Sequence, residues 1–206
     1  MNSERIQALA RNITEKDTVV DIGCDHGYLS IFLKQNNICK KVYASDISEQ
    51  ALSYARKNIK KYNMNIETFI SDGFNNIPVY FDTAVIAGMG TSTILKIISH
   101  KNTPNKLVLA SNNEYYRLRK SLNKMGYKIV DEQAILENNH YYIILLCIKG
   151  KQQLNKIDLK FGISNNDAYY KYLLNKNKEL MKKVPFTKRI KLYFDCLILK
   201  KLIERK

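Results

Sequence analysis

Five short apolar runs alternate with amphipathic stretches between residues 18 and 125, and this alternation restricts the chain more than any other feature in it. The runs fall near residues 18–22, 41–45, 66–70, 82–87 and 106–110, and helical periodicities fill 28–36, 48–61, 91–99 and 113–125. A strand, a helix and a further strand return to one sheet by a crossover, so the pattern predicts a mainly parallel sheet. After Gly126 the grammar changes. Residues 127–136 and 140–148 are joined by Glu137-Asn138-Asn139, which reads as an antiparallel hairpin closing that sheet.

The first βα junction reads Val19-Val20-Asp21-Ile22-Gly23-Cys24-Asp25-His26-Gly27-Tyr28-Leu29. Gly23 and Gly27 bracket a loop through which the main chain can approach a ligand where a Cβ would clash. Asp46 lies 25 residues after Asp21, at the end of the next expected strand, where a carboxylate can accept both hydroxyls of a ribose. A dinucleotide would place its pyrophosphate on the following helix, but Asp25 stands there, and like charges repel. S-adenosylmethionine has no phosphate and carries a sulfonium and an ammonium, so the acidic loop favours a methyl donor. The expected cofactor-binding set is Asp21, Gly23, Cys24, Asp25, Gly27, Asp46 and Ile47, then Asp72 and Gly73 for the adenine, and Ala87 and Gly88. Taken singly, Asp21 reads equally as a helix-capping residue, and Gly27 and Asp72-Gly73 as ordinary turns. The fold class expected is therefore α/β, a Rossmann-like class I methyltransferase sheet with an antiparallel last hairpin.

At 206 residues and 45% hydrophobic content the chain is long enough for one ordinary core and a smaller appendage. The apolar run 141–148 is too short to cross a bilayer, and residues 1–5 carry no apolar signal region, so a cytoplasmic protein is expected. Cys24, Cys39, Cys147 and Cys196 form no Cys-x-x-Cys pair, which points to reduced thiols and no metal.

The net charge of +15 is unevenly distributed: residues 151–206 hold 15 Lys/Arg against 5 Asp/Glu. Such a field attracts a polyanion, although 27 Lys against 7 Arg also fits AT-rich codon usage. This basic segment follows a polar connector, residues 150–166, with one apolar cluster at Leu159, Phe161 and Ile163. Two helices are expected beyond it, the first capped by Asp167 and broken at Pro185, the second following Thr187 with a stripe of Ile190, Phe194, Leu197, Ile198 and Leu202. The division expected is a catalytic domain over residues 1–150 and a basic α-helical hairpin over 151–206.

The segment Ala84-Val85-Ile86-Ala87-Gly88-Met89-Gly90 ends a buried strand in glycines, which leave room for a flat acceptor base beside the methyl group. No Asp-Pro-Pro-Tyr type motif is present, which argues against methylation of an exocyclic amine. With Asp21-Ile22-Gly23-Cys24-Asp25-His26-Gly27-Tyr28-Leu29, Ile86-Ala87-Gly88-Met89-Gly90 and Leu107-Val108-Leu109-Ala110-Ser111-Asn112, the sequence resembles the bacterial tRNA adenine-22 N1-methyltransferases over most of its length. It departs from that family at Thr91, where a further glycine is usual, and at Ala110-Ser111, where Gln-Pro precedes the asparagine.

The resemblance implies methyl transfer from S-adenosylmethionine to N1 of adenine 22 in the tRNA D-arm, on a base first exposed from its helix. On that basis Asp25, His26 and Asn112 are expected to hold the N6 edge, and Tyr28 to stack on the base. Asp25 has an equal claim to the cofactor, His26 to a structural hydrogen bond at the helix start, and Tyr28 to the core. Phosphates would meet Lys182, Lys183, Lys188, Arg189 and Lys191 of the hairpin, with Arg117 and Arg119 nearer the active centre. A monomer with tRNA as partner and no membrane is expected. The alternatives are methylation of another RNA site, a small molecule or a protein, and a non-catalytic RNA-binding module.

Overall fold

In the computed structural model, which describes residues 3–204, strand β1 (Thr18–Ile22) stands near the middle of a seven-stranded sheet. Its companions are β2 (Lys41–Asp46), β3 (Glu67–Ile70), β4 (Thr83–Met89), β5 (Lys106–Ser111), β6 (Tyr127–Glu137) and β7 (His140–Lys149), in the order β3-β2-β1-β4-β5-β7-β6. The first five strands pair in parallel, and β7 pairs antiparallel with both β5 and β6. The expected sheet, closing hairpin included, is the one observed.

The crossovers are α2 (Tyr28–Gln35), α3 (Glu49–Lys61), α4 (Thr91–Ile98) and α5 (Tyr115–Lys124). Helix α3 shows the local logic: the Ser48 hydroxyl accepts from Ala51 N at 3.3 Å, Glu49 fills the first turn, and Lys60 and Lys61 the last. Its buried side, Leu52, Ala55 and Ile59, joins Leu29, Ile31 and Leu33 of α2 against Val19, Val42, Val85 and Val108. The alternate residues Val20, Ile86, Leu107 and Leu109 are fully buried as well, so the central strands are covered on both faces.

A further helix, α1 (Glu4–Ala10), precedes β1 and was not expected, because seven residues make only two turns and show little periodicity. Its Ala8, Leu9 and Ala10 enter the same core. Ser3 caps it, and the Glu137 carboxylate at the end of β6 accepts from Ser3 Oγ at 2.6 Å and from Arg5 N at 3.3 Å.

The chain divides into two units between Gln153 and Leu154. The second contains α6 (Lys156–Phe161), α7 (Asp167–Lys183) and α8 (Phe186–Ile203), with α7 and α8 packed together. Helix α6 lies where a connector was expected. Asn166 rather than Asp167 caps α7, accepting from Tyr169 N at 3.0 Å, and α8 starts directly after Pro185, one residue ahead of Thr187. The apolar stripe expected along α8 is largely exposed at Ile190, Phe194 and Leu197. Asp195, Cys196 and Leu199 are buried instead, with Asp195 held by the ammonium of Lys160. Among the described residues no helix is long and apolar enough to cross a membrane.

Candidate active site

The chain leaves β1 towards β2 and leaves β4 towards β5, on opposite sides, so a crevice opens where these two strands end. A cleft of about 900 Å³ occupies it. Asp21, Gly23, Cys24, Asp25, His26 and Tyr28 from the β1–α2 junction line this cleft, as do Asp46 and Ile47, Asp72 and Gly73, Ala87 and Gly88, and Asn112.

The loop after β1 is held by its neighbour strand: Gly23 N and Cys24 N both donate to the Ser45 carbonyl, at 2.8 and 3.0 Å. Gly23 takes φ +71°, and a Cβ there would lie 2.0 Å from Met89 Cε, so glycine lets the loop approach the end of β4. Gly27 has the same φ but does not line the cleft. A Cβ there would meet Ala55 of α3 at 3.2 Å, so glycine also lets α2 start close against α3.

Asp46 is fixed by two main-chain donors, Asp25 N at 3.1 Å and Ser48 N at 2.9 Å. Each carboxylate oxygen keeps a further lone pair for the cleft. Asp21 accepts from Ser30 Oγ at 2.8 Å, and burial pushes its carboxyl up to about 6 against this hydrogen bond, with the charge of Asp46 adding to the rise. Burial, and then the charges of Asp21 and Asp46, also push the Cys24 thiol well above its ordinary range, which leaves it protonated and unsuited to nucleophilic work. Asp72 meets Lys96 Nζ at 3.1 Å through Oδ2 in an exposed pair, which leaves its other oxygen for the cleft.

At the acceptor side the β4–β5 register shifts between Ala87 and Met89. The Asn112 main chain donates to Met89 O and its Nδ2 to Gly88 O, both at 2.8 Å, which leaves Oδ1 to accept. Thr91, one of the two departures from the family pattern, is fully buried; its hydroxyl donates to Asn113 O at 2.7 Å and lies 2.8 Å from Ser111 Oγ. On the rim the His26 ring stacks on Tyr28 with centroids 5.7 Å apart and meets Tyr54 at 5.4 Å, and Asn58 Nδ2 donates to His26 O.

The residues that sequence reasoning missed here are mainly Arg5, Ile6 and Leu9 of α1, Met89, Lys96 and Tyr142. Tyr142 was accessible to reasoning: a strand running antiparallel to β5 begins at the edge where β5 ends. Arg5 gave no signal, because α1 itself was not foreseen.

Of the expected phosphate contacts, Arg119 is overturned. It is 1% exposed and forms a bidentate pair with Glu132 at 2.9 and 2.7 Å, because the inward face of α5 meets β6 at this point. Arg117 is half-exposed and donates to Ser92 Oγ and Glu114. In the second unit Lys182, Lys183, Lys188, Arg189 and Lys191 are all exposed; Lys182 pairs with Glu179, and Arg189 donates to Val184 O.

These groups suit a cationic nucleoside. Three acidic side chains, Asp21, Asp25 and Asp46, surround the glycine loop, which would repel a diphosphate but hold a sulfonium and an ammonium. Asp46 would take the ribose.

The sequence profile of the methyltransferase domain family matches residues 2–145. A Mycoplasma genitalium protein provisionally named a tRNA methyltransferase is 38% identical over 138 residues, 65% of this chain and 63% of its own length. The tRNA (adenine(22)-N(1))-methyltransferase of Bacillus subtilis is 26% identical over 72% of this chain and 65% of its own length. The chain thus spans just under two thirds of these two relatives. Among solved structures, M. capricolum TrmK in complex with S-adenosyl-homocysteine superposes with a TM-score of 0.84 at 29% identity, covering 99% of this chain and 98% of that one.

Proposed function

The chain belongs to the methyltransferase domain family, and from that premise we propose that it transfers the methyl group of S-adenosylmethionine to N1 of adenine 22 in tRNA. The observation that carries this reading is the acidic glycine cradle opening onto Gly88 and Asn112 in one cleft. The named relatives support the choice of tRNA and of N1.

When bound, the donor supplies an electrophilic methyl on a sulfonium. Asp46 would accept its ribose hydroxyls, and Asp21 would balance its ammonium across the loop. The acceptor adenine, taken out of its helix, stacks on the Tyr28–His26 pair, whose rings are already parallel within 23°. Asn112 Oδ1 accepts from the N6 amino group, because its Nδ2 is committed to Gly88 O. That contact would orient the base, with its N1 lone pair turned towards the donor's methyl group. After methylation the carboxylate of Asp25 would accept the proton that N6 sheds.

The exposed Lys182, Lys183, Lys188, Arg189 and Lys191 of the second unit supply phosphate contacts, and Arg117 a further one beside Ser92 at the cleft. The enzyme acts as a monomer in the cytoplasm, with residues 1–150 as its catalytic part and 151–206 as its RNA-binding part.

Labelled donor with tRNA transcripts tests the reading. Label should enter as 1-methyladenosine and disappear when position 22 is guanosine; label that persists with guanosine 22, or none with any tRNA, overturns it.

A further inference from the structure

Helix α4 begins on Gly90, which offers no side chain to the orphan N–H groups of the first turn. Asn113, from the loop after β5, supplies the cap: its Oδ1 accepts from Thr91 N at 3.0 Å. The contact ties the end of β4 to the residues that follow β5. Thr91 and Ser111 complete the tie from inside, at 0% and 1% exposure.

Counting protons gives each bond its direction. The Thr91 hydroxyl donates to Asn113 O at 2.7 Å, so in its 2.8 Å contact with Ser111 Oγ the serine is the donor. Two other acceptors, Asn113 O and Met89 O, lie farther from the serine hydroxyl, at 3.0 and 3.3 Å. Ser111 Oγ in turn accepts from Asn113 N at 3.3 Å. A closed ring results, running from Asn113 N through Ser111 and Thr91 back to Asn113 O, and the cap engages a third atom of the same residue. Ser111 is also held by its carbonyl, which accepts from the Tyr115 hydroxyl.

Asn112 stands between these two clamped residues, and of the four it alone lines the cleft. Its N–H donates to Met89 O and its Nδ2 to Gly88 O, so main chain and amide are both set. An amide turned over would offer an N–H donor to the cleft, which suits a purine carrying a carbonyl at C6. We infer that Thr91 and Ser111 are positioning and specificity-determining residues that act through Asn112, holding its Oδ1 where it selects an exocyclic amino group and hence adenine. The inference rests on the reading of Asn112 proposed above and adds the groups behind it.

Single-turnover methylation by the full chain, at saturating donor, compares tRNA carrying adenosine at position 22 with tRNA carrying purine riboside there, which keeps N1 and lacks the amino group. The unmodified protein should favour adenosine. Asn112→Ala should reduce that preference by about tenfold, the worth of one hydrogen bond, to the intrinsic difference between the two bases. Thr91→Val, which keeps the shape and removes the hydroxyl, should shrink the preference most of the way to that value, and Thr91→Ser should restore it. Ser111→Ala should act in the same direction, and it reads the ring should Thr91→Val fail to fold. Donor affinity, measured by calorimetry, should stay within about twofold in the Thr91 and Ser111 variants.

Equal losses of rate on both substrates in Thr91→Val and Ser111→Ala, with the preference intact, would make the ring scaffolding and overturn the inference. Unchanged rates would overturn it too. An undiminished preference in Asn112→Ala would instead remove the N6 contact itself, and methylation of neither tRNA by the unmodified protein would remove the proposed function; the inference falls with either.

Discussion

The Asp46 carboxylate accepts the main-chain N–H of Asp25 at 3.1 Å, so one side chain joins the end of β2 to the loop that follows β1. Its other oxygen takes Ser48 N at 2.9 Å, so the group proposed to meet the ribose is also part of the frame.

Asp46→Ala should accordingly weaken donor binding by about tenfold or more and cost about 1–3 kcal/mol of stability from the unpaired amides. Calorimetry and thermal unfolding measure the two effects separately. Unchanged donor affinity in a folded variant would end the ribose assignment.

The carboxyl of Asp21 titrates near 6 when folded against an ordinary 3.8, so the folded protein holds this proton more tightly than the unfolded chain. Stability from this group is full below about pH 4 and is lost as pH rises through about 6, by up to about 3 kcal/mol. Asp21→Asn should flatten the slope of urea-denaturation free energy between pH 4 and 7. Donor binding should tighten as pH rises through 6 in the unmodified protein, since the ammonium favours ionised Asp21, and should lose that dependence in the variant. An identical slope in both proteins would refute the assignment.

Arg119 and Glu132 are a buried ion pair, at 1% and 0% side-chain exposure. Removing one partner leaves a buried charge, so Arg119→Ala or Glu132→Ala should destabilise by about 3–5 kcal/mol, whereas Arg119→Met with Glu132→Leu should recover much of the loss. Chemical denaturation decides it. A stable Arg119→Ala protein with weakened tRNA binding would restore the phosphate role that its burial excludes.

Replacing Lys182, Lys183, Lys188 and Arg189 with glutamine should weaken tRNA binding and reduce the slope of log K against log salt by up to about 3, leaving donor affinity unchanged. Filter binding at several salt concentrations reads both. Unaltered RNA affinity would return these side chains to solvation alone.

The parallel sheet was legible because the burial of β1, β4 and β5 on both faces writes itself as unbroken apolar runs, and the crossover helices as 3.6-residue periods. The acids of the cleft were legible because they stand at strand ends whose positions those runs define. Arg119 misled because charge suggests solvent, while its partner Glu132 lies on a strand 13 residues away that only the folded sheet brings alongside. At Gly27 the left-handed turn was foreseeable, but its neighbour Ala55 was not. Arg5 and Lys96 stayed hidden because nothing local distinguishes a cation over a cleft from one in water. The α8 stripe failed because Asp195, drawn inward by Lys160, turns a charged side of the helix towards the interior.

The clasp between Ser3 and Glu137 has a consequence for biogenesis. Helix α1 is made before every strand of the sheet, yet the wall it forms with Tyr142 needs a partner made some 130 residues later. A nascent chain halted after Met125 would hold the glycine loop and Asp46 but lack the hairpin that seats Arg5. The wall of the cleft is therefore complete only once β7 is in place.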